Sequence, residues 1–316
     1  MTHFNAFVLA AGFGTRLHPL TEVLPKPLVP VCGVPLLRYA LAQCAHHGLT
    51  QVIVNSHWLA EHLEPYAGSH EGVHVSISRE TPNILGTGGG LRRVRERLAR
   101  RFVVLNGDVL NNVDLTALLA AIPQGGGALA LRANAEEAPI YGIVAADSTH
   151  RVVKLREIAS APAEGALATD THFTGIHAMD RLALNLAEDD FSCIIRTAYK
   201  QLVPQRLVSA IRHGGTWLDV GDPKAYLDAN LTVLNGDLEL PLDPFPRAQD
   251  AAKGSHWIGS GAVVKGHITQ SVIGANAIVP ADATLDQCVV WDNLEVPPGL
   301  HRGKVFFGLK GPAMIL

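Results

Sequence analysis

The chain carries little net charge of either sign: 26 Lys and Arg against 29 Asp and Glu leave −3 over 316 residues. A field that weak excludes a global nucleic-acid or anionic-membrane surface, so any phosphate chemistry has to be local. No run of about eighteen apolar residues occurs, and none of the segments reads as a membrane-spanning helix. Residues Met1-Thr2-His3-Phe4-Asn5 run directly into an apolar stretch, without a basic leader and a cleavable apolar segment. The expectation is a cytoplasmic protein with no nucleic-acid and no membrane partner. Cysteine is scarce too. Cys32, Cys44, Cys193 and Cys288 are far apart with no C-x-x-C, which points to free thiols rather than disulfides or a zinc site.

Two well-known phosphate loops are also missing. A Rossmann fingerprint needs G-x-G-x-x-G, but after Gly12-x-Gly14 the third glycine position holds Leu17, and no acidic residue stands about twenty positions on. A P-loop needs a lysine directly after its second glycine, and neither glycine here has one. What stands there instead is Leu9-Ala10-Ala11-Gly12-Phe13-Gly14-Thr15-Arg16-Leu17, continued by Pro19-Leu20-Thr21 and Leu24-Pro25-Lys26-Pro27-Leu28. It follows the strand-like run Ala6-Phe7-Val8-Leu9. Glycines at 12 and 14 let backbone N–H groups approach an anion closely, and Arg16 and Lys26 supply fixed positive charge for a polyphosphate.

Further along, Leu36 to Ala45 places apolar residues at helical spacing, with Gly48 where a helix-ending glycine belongs. Gln51–Asn55 and Val73–Ile77 read as strands, Ala60–Tyr66 as a helical stretch. This alternation predicts a mostly parallel sheet covered on both faces. Leu85-Gly86-Thr87-Gly88-Gly89-Gly90 permits close backbone approach to a planar group or a phosphate and leads into a helix over Leu91–Leu98, whose arginines read as a solvated basic face. Phe102–Leu105 is a buried-type strand ending at Asn106-Gly107-Asp108. Ligands bind at the carboxyl ends of such strands, and a carboxylate presented there suits Mg²⁺. Phe191–Ile195 opens a helix capped by Ser192 or Asp190. Leu240–Gly254 lacks helical or strand period and reads as a linker. From Trp257 a six-residue rhythm begins, Ile258-Gly259-Ser260-Gly261-Ala262-Val263 and later Ile273-Gly274-Ala275-Asn276-Ala277-Ile278, the pattern of a left-handed β-helix. At about eighteen residues per coil it allows two or three coils.

The string G-x-G-T-R-L-x-P-L-T with its downstream P-K-P resembles the signature of the sugar nucleotidyltransferases, the NDP-sugar pyrophosphorylases. The resemblance implies an α/β fold: a Rossmann-like, mostly parallel sheet of the nucleotidyltransferase type with a short left-handed β-helix. The expected division is 1–240 for catalysis, 241–256 as linker and 257–316 as β-helix. It makes Leu9, Ala10, Ala11, Gly12, Gly14, Thr15 and Arg16 nucleotide-binding, with Leu85, Gly86 and Thr87 beside the base. Trp217-Leu218-Asp219-Val220-Gly221-Asp222 resembles the W-x-D-[VIT]-G element, which pairs Asp219 with Asp108 as ligands of Mg²⁺. Asp222 is a rival that the motif disfavours. Arg16, Lys26 and Asp108 become the catalytic set. Ala138–Val144 resembles the Y-G-V-V strand and Val152–Glu157 the F-x-E-K-P segment, so Gly142, Glu157, Thr174 and Gly175 fall to the sugar phosphate. After Glu157 the usual lysine and proline are Ile158 and Ala159.

The implied reaction joins an NTP and a sugar 1-phosphate into an NDP-sugar and pyrophosphate. GTP with mannose 1-phosphate is the leading pair, and glucose, N-acetylmuramic acid or heptose phosphates with UTP or GTP are the alternatives. Two remoter classes are a hexapeptide acyltransferase, for which His267 and His301 are available, and a regulator that binds NDP-sugar without turnover. The appendage leaves room for a homo-oligomer.

Overall fold

The strand-like runs assemble into one eight-stranded sheet: β1 (Phe4–Leu9), β2 (Gln51–Ser56), β3 (Gly68–His70), β4 (Val73–Arg79), β5 (Leu98–Asn106), β6 (Gly127–Ala133), β7 (Thr171–Asp180) and β8 (Val208–His213). Their spatial order is β8-β6-β7-β5-β1-β2-β4-β3. This computed structural model describes residues 3–160, 170–252 and 255–316, with 247–252 by backbone alone. The expected catalytic segment 1–240 and linker 241–256 therefore each include positions outside the described residues.

Pairings around β1 are parallel, to β2 and to β5, as is β2 to β4. The sheet is mixed: β7 runs antiparallel between β5 and β6, and the edge strand β3 is antiparallel to β4. β1 has β2 on one side and β5 on the other, so successive strands depart from it in opposite directions. The loop after Leu9 opens at that switch point, where the fold leaves a crevice at the strand ends. Phe7, Ile53, Val104, Leu129 and Met179 are buried in one core cluster with Leu91 and Val94.

The helix read at Leu36–Ala45 is present as α1 (Leu36–His46). It ends as expected, with Gly48 at φ 69° and its N–H donating to Ala45 O. The next helix differs. It forms over Gly86–Arg93 (α2), the glycines making its first turns, and Leu98 already belongs to β5. Four of the six arginines are individually partnered: Arg92 with Asp189, Arg95 with Glu96, Arg97 over the Phe4 ring, and Arg100 with Asp180. Ala60–Tyr66 forms two short 3₁₀ turns rather than a helix. Ala138–Tyr141 is a helical turn, and the strand expected there starts only at Val144. Past Phe191 the helix is of π type over Ile195–Tyr199, and neither Ser192 nor Asp190 caps it; the Ile194 N–H donates to Thr87 Oγ1 instead.

The chain divides into two compact units, one of Met1–Gly12, Ala40–Gly107 and Asn112–Trp217, the other of Phe13–Tyr39, Asp108–Asn111 and Leu218–Leu316. The first holds the sheet. In the second, α3 (Pro223–Asn235) and the C-terminal strands enclose the hairpin Pro30–Val31/Val34–Pro35. Tyr226 Oη donates to Pro30 O at 2.7 Å, Trp291 Nε1 donates to Tyr226 Oη at 2.9 Å, and Cys32 N donates to Asn230 Oδ1 at 2.9 Å. Gly33 has φ 67°, and the space a Cβ would need there is filled by the Trp257 ring. The C-terminal strands stack in parallel on three faces, with Trp257 paired to Val272, Val263 to Ile278 and His267 to Thr284. This is a short β-helix. The expected linker contributes a strand of its own, Ala248–Ala252, antiparallel to His256–Gly259. Backbone pairing needs no apolar alternation, which is why composition did not reveal it.

Among the described residues no helix is long and apolar enough to cross a membrane. Cys32, Cys44 and Cys288 are buried, and all four thiols are free.

Inside the first unit, His177 Nδ1 lies 2.7 Å from Tyr199 Oη, and both side chains are buried. Burial pushes the His177 imidazole down to about 3 from its ordinary 6.5. Below pH 6.5 an unfolded chain takes up a proton at this residue that the folded one refuses, so stability falls as pH drops from 6.5 toward 3. Chemical denaturation at pH 7 and pH 5 checks this: the wild type should lose stability between the two, and His177→Gln should lose less. An equal loss in both would remove His177 from the acid sensitivity.

Candidate functional site

In the second unit, four charged side chains converge. Leu17 and Leu20 are fully buried and anchor the segment after the glycines, leaving Arg16 exposed just before Leu17. Gly14 sits at φ 65°, and a Cβ on it would lie 2.8 Å from Thr21 Cγ2. That glycine is therefore demanded by the turn, whose carbonyl accepts from Thr21 Oγ1 at 2.9 Å. Pro25 and Pro27 set the next tight turn, Lys26–Leu28, and Lys26 is buried within it. Lys26 Nζ is 2.5 Å from Asp108 Oδ2 and 3.9 Å from Asp219 Oδ1, while Arg16 Nη2 is 3.7 Å from Asp219 Oδ2. Asp219 ends the short strand Trp217–Asp219, which pairs with Val109–Asn111 next to Asp108. Gly221 lets the arginine in, since a Cβ there would be 3.1 Å from both Arg16 Nη1 and Asp219 Oδ2.

Asp222 is placed otherwise. Its Oδ1 accepts from Ala225 N at 2.9 Å and caps α3. The two carboxylates left over, Asp108 and Asp219, share one ammonium. Among the described residues no group of three or more His, Cys, Asp and Glu gathers as a metal site. Two hard oxygen donors nevertheless suit Mg²⁺, which usually takes one or two carboxylates and fills its shell with water and substrate phosphate. The Lys26 ammonium between them shows that this spot already accommodates a cation.

The first unit carries the remaining candidates. Leu9 is half-buried, Ala10 and Ala11 are buried, and Gly12 is exposed with nothing within 4 Å of where a Cβ would sit. Thr15, in the second unit, is exposed as well. Ala10 N donates to Asn55 Oδ1 at 2.7 Å. Asn55 Nδ2 in turn donates to Glu80 Oε1 at 2.8 Å, and Glu80 Oε2 accepts from Leu85 N at 2.6 Å. Glu80 is almost wholly buried, and Gly90 makes room for it, since a Cβ there would lie 2.6 Å from Oε1. Sequence reading missed Asn55 and Glu80. The chain of bonds ties the loop after β1 to the loop before α2, and only the E-x-x-x-x-L-G-T spacing hints at it.

The glycines of α2 do not leave room for a ligand on every side. Cβ atoms at Gly86 and Gly88 would press on Ser192, and one at Gly89 on the Asp190 carbonyl. Thr87 spends its hydroxyl on Ile194 N at 3.0 Å.

Around the sugar-side candidates, Gly142 has φ 92° with Arg156 Cγ 2.8 Å from a would-be Cβ, and Glu157 is exposed in the turn after Val152–Leu155. Gly175, at φ 84°, lies against the Asn106 side chain. Thr174 is buried, with its hydroxyl donating to Ala130 O and its carbonyl accepting from Trp217 Nε1, each at 2.9 Å. Tyr141 stacks on His172 at 5.0 Å, and His172 Nε2 is 3.0 Å from Glu137 Oε2. Of the two histidines weighed for acyl transfer, His301 is bonded to Pro297 O and packs on Phe306.

Removing the buried carboxylate has a defined consequence. Glu80→Ala leaves Asn55 Nδ2 and Leu85 N without their acceptor, which costs about 3 kcal/mol or more. Urea denaturation should show that loss, and amide exchange at Leu85 should quicken. Unchanged exchange at Leu85 would show that Glu80 does not hold this loop.

Residues 5–236 match the nucleotidyl transferase family. A UTP–glucose-1-phosphate uridylyltransferase of Synechocystis is 26% identical over 341 residues, spanning 96% of this chain and 87% of that protein. A mannose-1-phosphate guanylyltransferase of Mycobacterium tuberculosis is 26% identical over 301 residues, 93% of this chain and 82% of that one. The crystal structure of HddC from Yersinia pseudotuberculosis complexed with GMP-PN superposes with a TM-score of 0.58 at 20% identity, covering 72% of this chain and 98% of that one, which is a likeness of fold. With a match over most of its length, and with the loop after β1 at the switch point of the sheet, the chain belongs to the nucleotidyl transferase family.

Proposed function

We propose that the protein transfers a nucleotidyl group from an NTP to a sugar 1-phosphate. A phosphate oxygen of the sugar 1-phosphate attacks the α-phosphorus, the bond from that phosphorus to the bridging oxygen breaks, and pyrophosphate leaves. No protein nucleophile is needed; positioning two anions and neutralising their charge is the whole task. The observation that carries this reading is the Lys26 ammonium held between Asp108 and Asp219 with Arg16 beside them. Similarity to relatives named as uridylyl and guanylyl transferases supports it.

In this reading the backbone of Leu9, Ala10, Ala11, Gly12, Gly14 and Thr15, with Arg16, binds the triphosphate. Lys26 stabilises charge around the α-phosphate. Asp108 and Asp219 hold Mg²⁺, which when bound screens the repulsion between nucleotide and sugar phosphate. Lys26 must then give up part of its contact with Asp108 to reach phosphate, so the pair keeps the lysine in place until substrates arrive. Leu85, Gly86 and Thr87 adjoin the base, and Gly142, Glu157, Thr174 and Gly175 adjoin the sugar. GTP with mannose 1-phosphate is the favoured pair; UTP or GTP with glucose, N-acetylmuramic acid or heptose phosphates are the alternatives. Residues 1–240 form the catalytic domain and 257–316 the β-helix, joined by 241–256, in a cytoplasmic enzyme.

Pyrophosphate release, measured across the NTPs and a panel of sugar 1-phosphates with Mg²⁺, identifies the substrate pair. Arg16→Ala and Asp108→Asn should each lower turnover by about 10²–10³-fold. Circular dichroism should show an intact fold in both. Near-wild-type rates in either would sink the assignment of that residue.

A further inference from the structure

Phe191 is the large apolar side chain that the fold holds in water beside α2. Its side chain is 67% exposed, an unusual position for a phenyl ring that no strand or helix obliges to be there. It is not loosely placed. Ser192 N donates to Leu85 O at 2.9 Å, Gly88 N donates to Ser192 O at 2.8 Å, and Ile194 N donates to Thr87 Oγ1 at 3.0 Å. Three hydrogen bonds thus fasten the backbone just past Phe191 to the three residues Leu85, Thr87 and Gly88. Gly86, at φ 70°, lies under the ring, since a Cβ on it would come within 3.3 Å of Phe191 Cε2 and 2.6 Å of Ser192 O. The absent Cβ therefore lets the ring edge reach the first turn of α2, and the pinned backbone limits the ring to the few positions its own side-chain rotamers allow.

We propose that Phe191 is a nucleotide-binding residue whose exposed ring stacks on the nucleobase. The inference rests on the reading of Leu85, Gly86 and Thr87 as base neighbours and adds a wall that this reading does not contain. A preset ring contributes affinity with little ordering cost, because its backbone is already immobile. Every base has a π-face, so stacking is tolerant of which base it meets. Phe191 supplies affinity common to purine and pyrimidine nucleotides, and choice between bases falls to hydrogen-bonding groups elsewhere.

Calorimetric titration of the full chain with GTP and with UTP, in Mg²⁺ and without sugar 1-phosphate, tests this. Phe191→Ala should raise the NTP dissociation constant about tenfold for each nucleotide the wild type binds. Phe191→Tyr should stay near the wild type, and KM for the sugar 1-phosphate should be unmoved. In Phe191→Trp, nucleotide should quench fluorescence beyond any change in the wild type. Wild-type affinity in Phe191→Ala, or a loss for only one of two nucleotides that the wild type binds, overturns the stacking role. A wild-type chain that takes up no nucleoside triphosphate overturns the base-site reading with it, whereas Arg16→Ala losing NTP affinity while Phe191→Ala keeps it overturns the stacking alone.

Discussion

A lysine ammonium 2.5 Å from an aspartate carboxylate, between positions eighty-two residues apart, ties the turn Lys26–Leu28 to the segment Asp108–Asn111. Lys26 is nearly buried, and a charge so placed is tolerable only with a partner in contact. Asp108 is that partner in contact, and it stands directly before Val109–Asn111, the strand that pairs with Trp217–Asp219. Asp219 then supplies a second carboxylate to the same ammonium, and Arg16 balances it. Two positive and two negative groups hold each other in place. Such a cluster balances its own charges, and under the proposed function a triphosphate and Mg²⁺ would compete for those same groups.

How much of this could be read from the chain depends on whether the signal was local. The loop at Leu9 to Leu28 was legible because its glycines, arginine and lysine lie within one stretch; the left-handed turn at Gly14 is a finding of the structure. Helix α1 and the β-helix rhythm were legible for the same reason. Glu80 and Asn55 were not, since their bond joins residues twenty-five positions apart that carry no shared pattern. The motif already favoured Asp219 over Asp222, but only the helix that follows shows what Asp222 does, which is to cap it.

The glycines of α2 show a subtler limit. Their sequence states that no Cβ fits, not what fills the space. In the structure the chain's own backbone at Asp190–Ser192 and the Glu80 carboxylate fill much of it. A glycine run here is first a packing device for a crossing segment, and that segment brings Phe191 to the loop. The arginines that follow illustrate the converse: a basic run in sequence becomes separate pairs with Asp189, Glu96 and Asp180 once the chain turns from helix to strand after Arg93.

The hairpin Pro30–Pro35 rests on Tyr226, Asn230, Trp257 and Trp291, through Pro30 O, Cys32 N and the space beside Gly33. During synthesis these supports emerge long after the hairpin itself. The ribosome has to complete the sheet strands and most of the C-terminal coils before the turn that carries Lys26 gains its permanent backing. The hairpin beside Lys26 is thus made early and locked late, once the residues from Tyr226 to Trp291 that back it have been added.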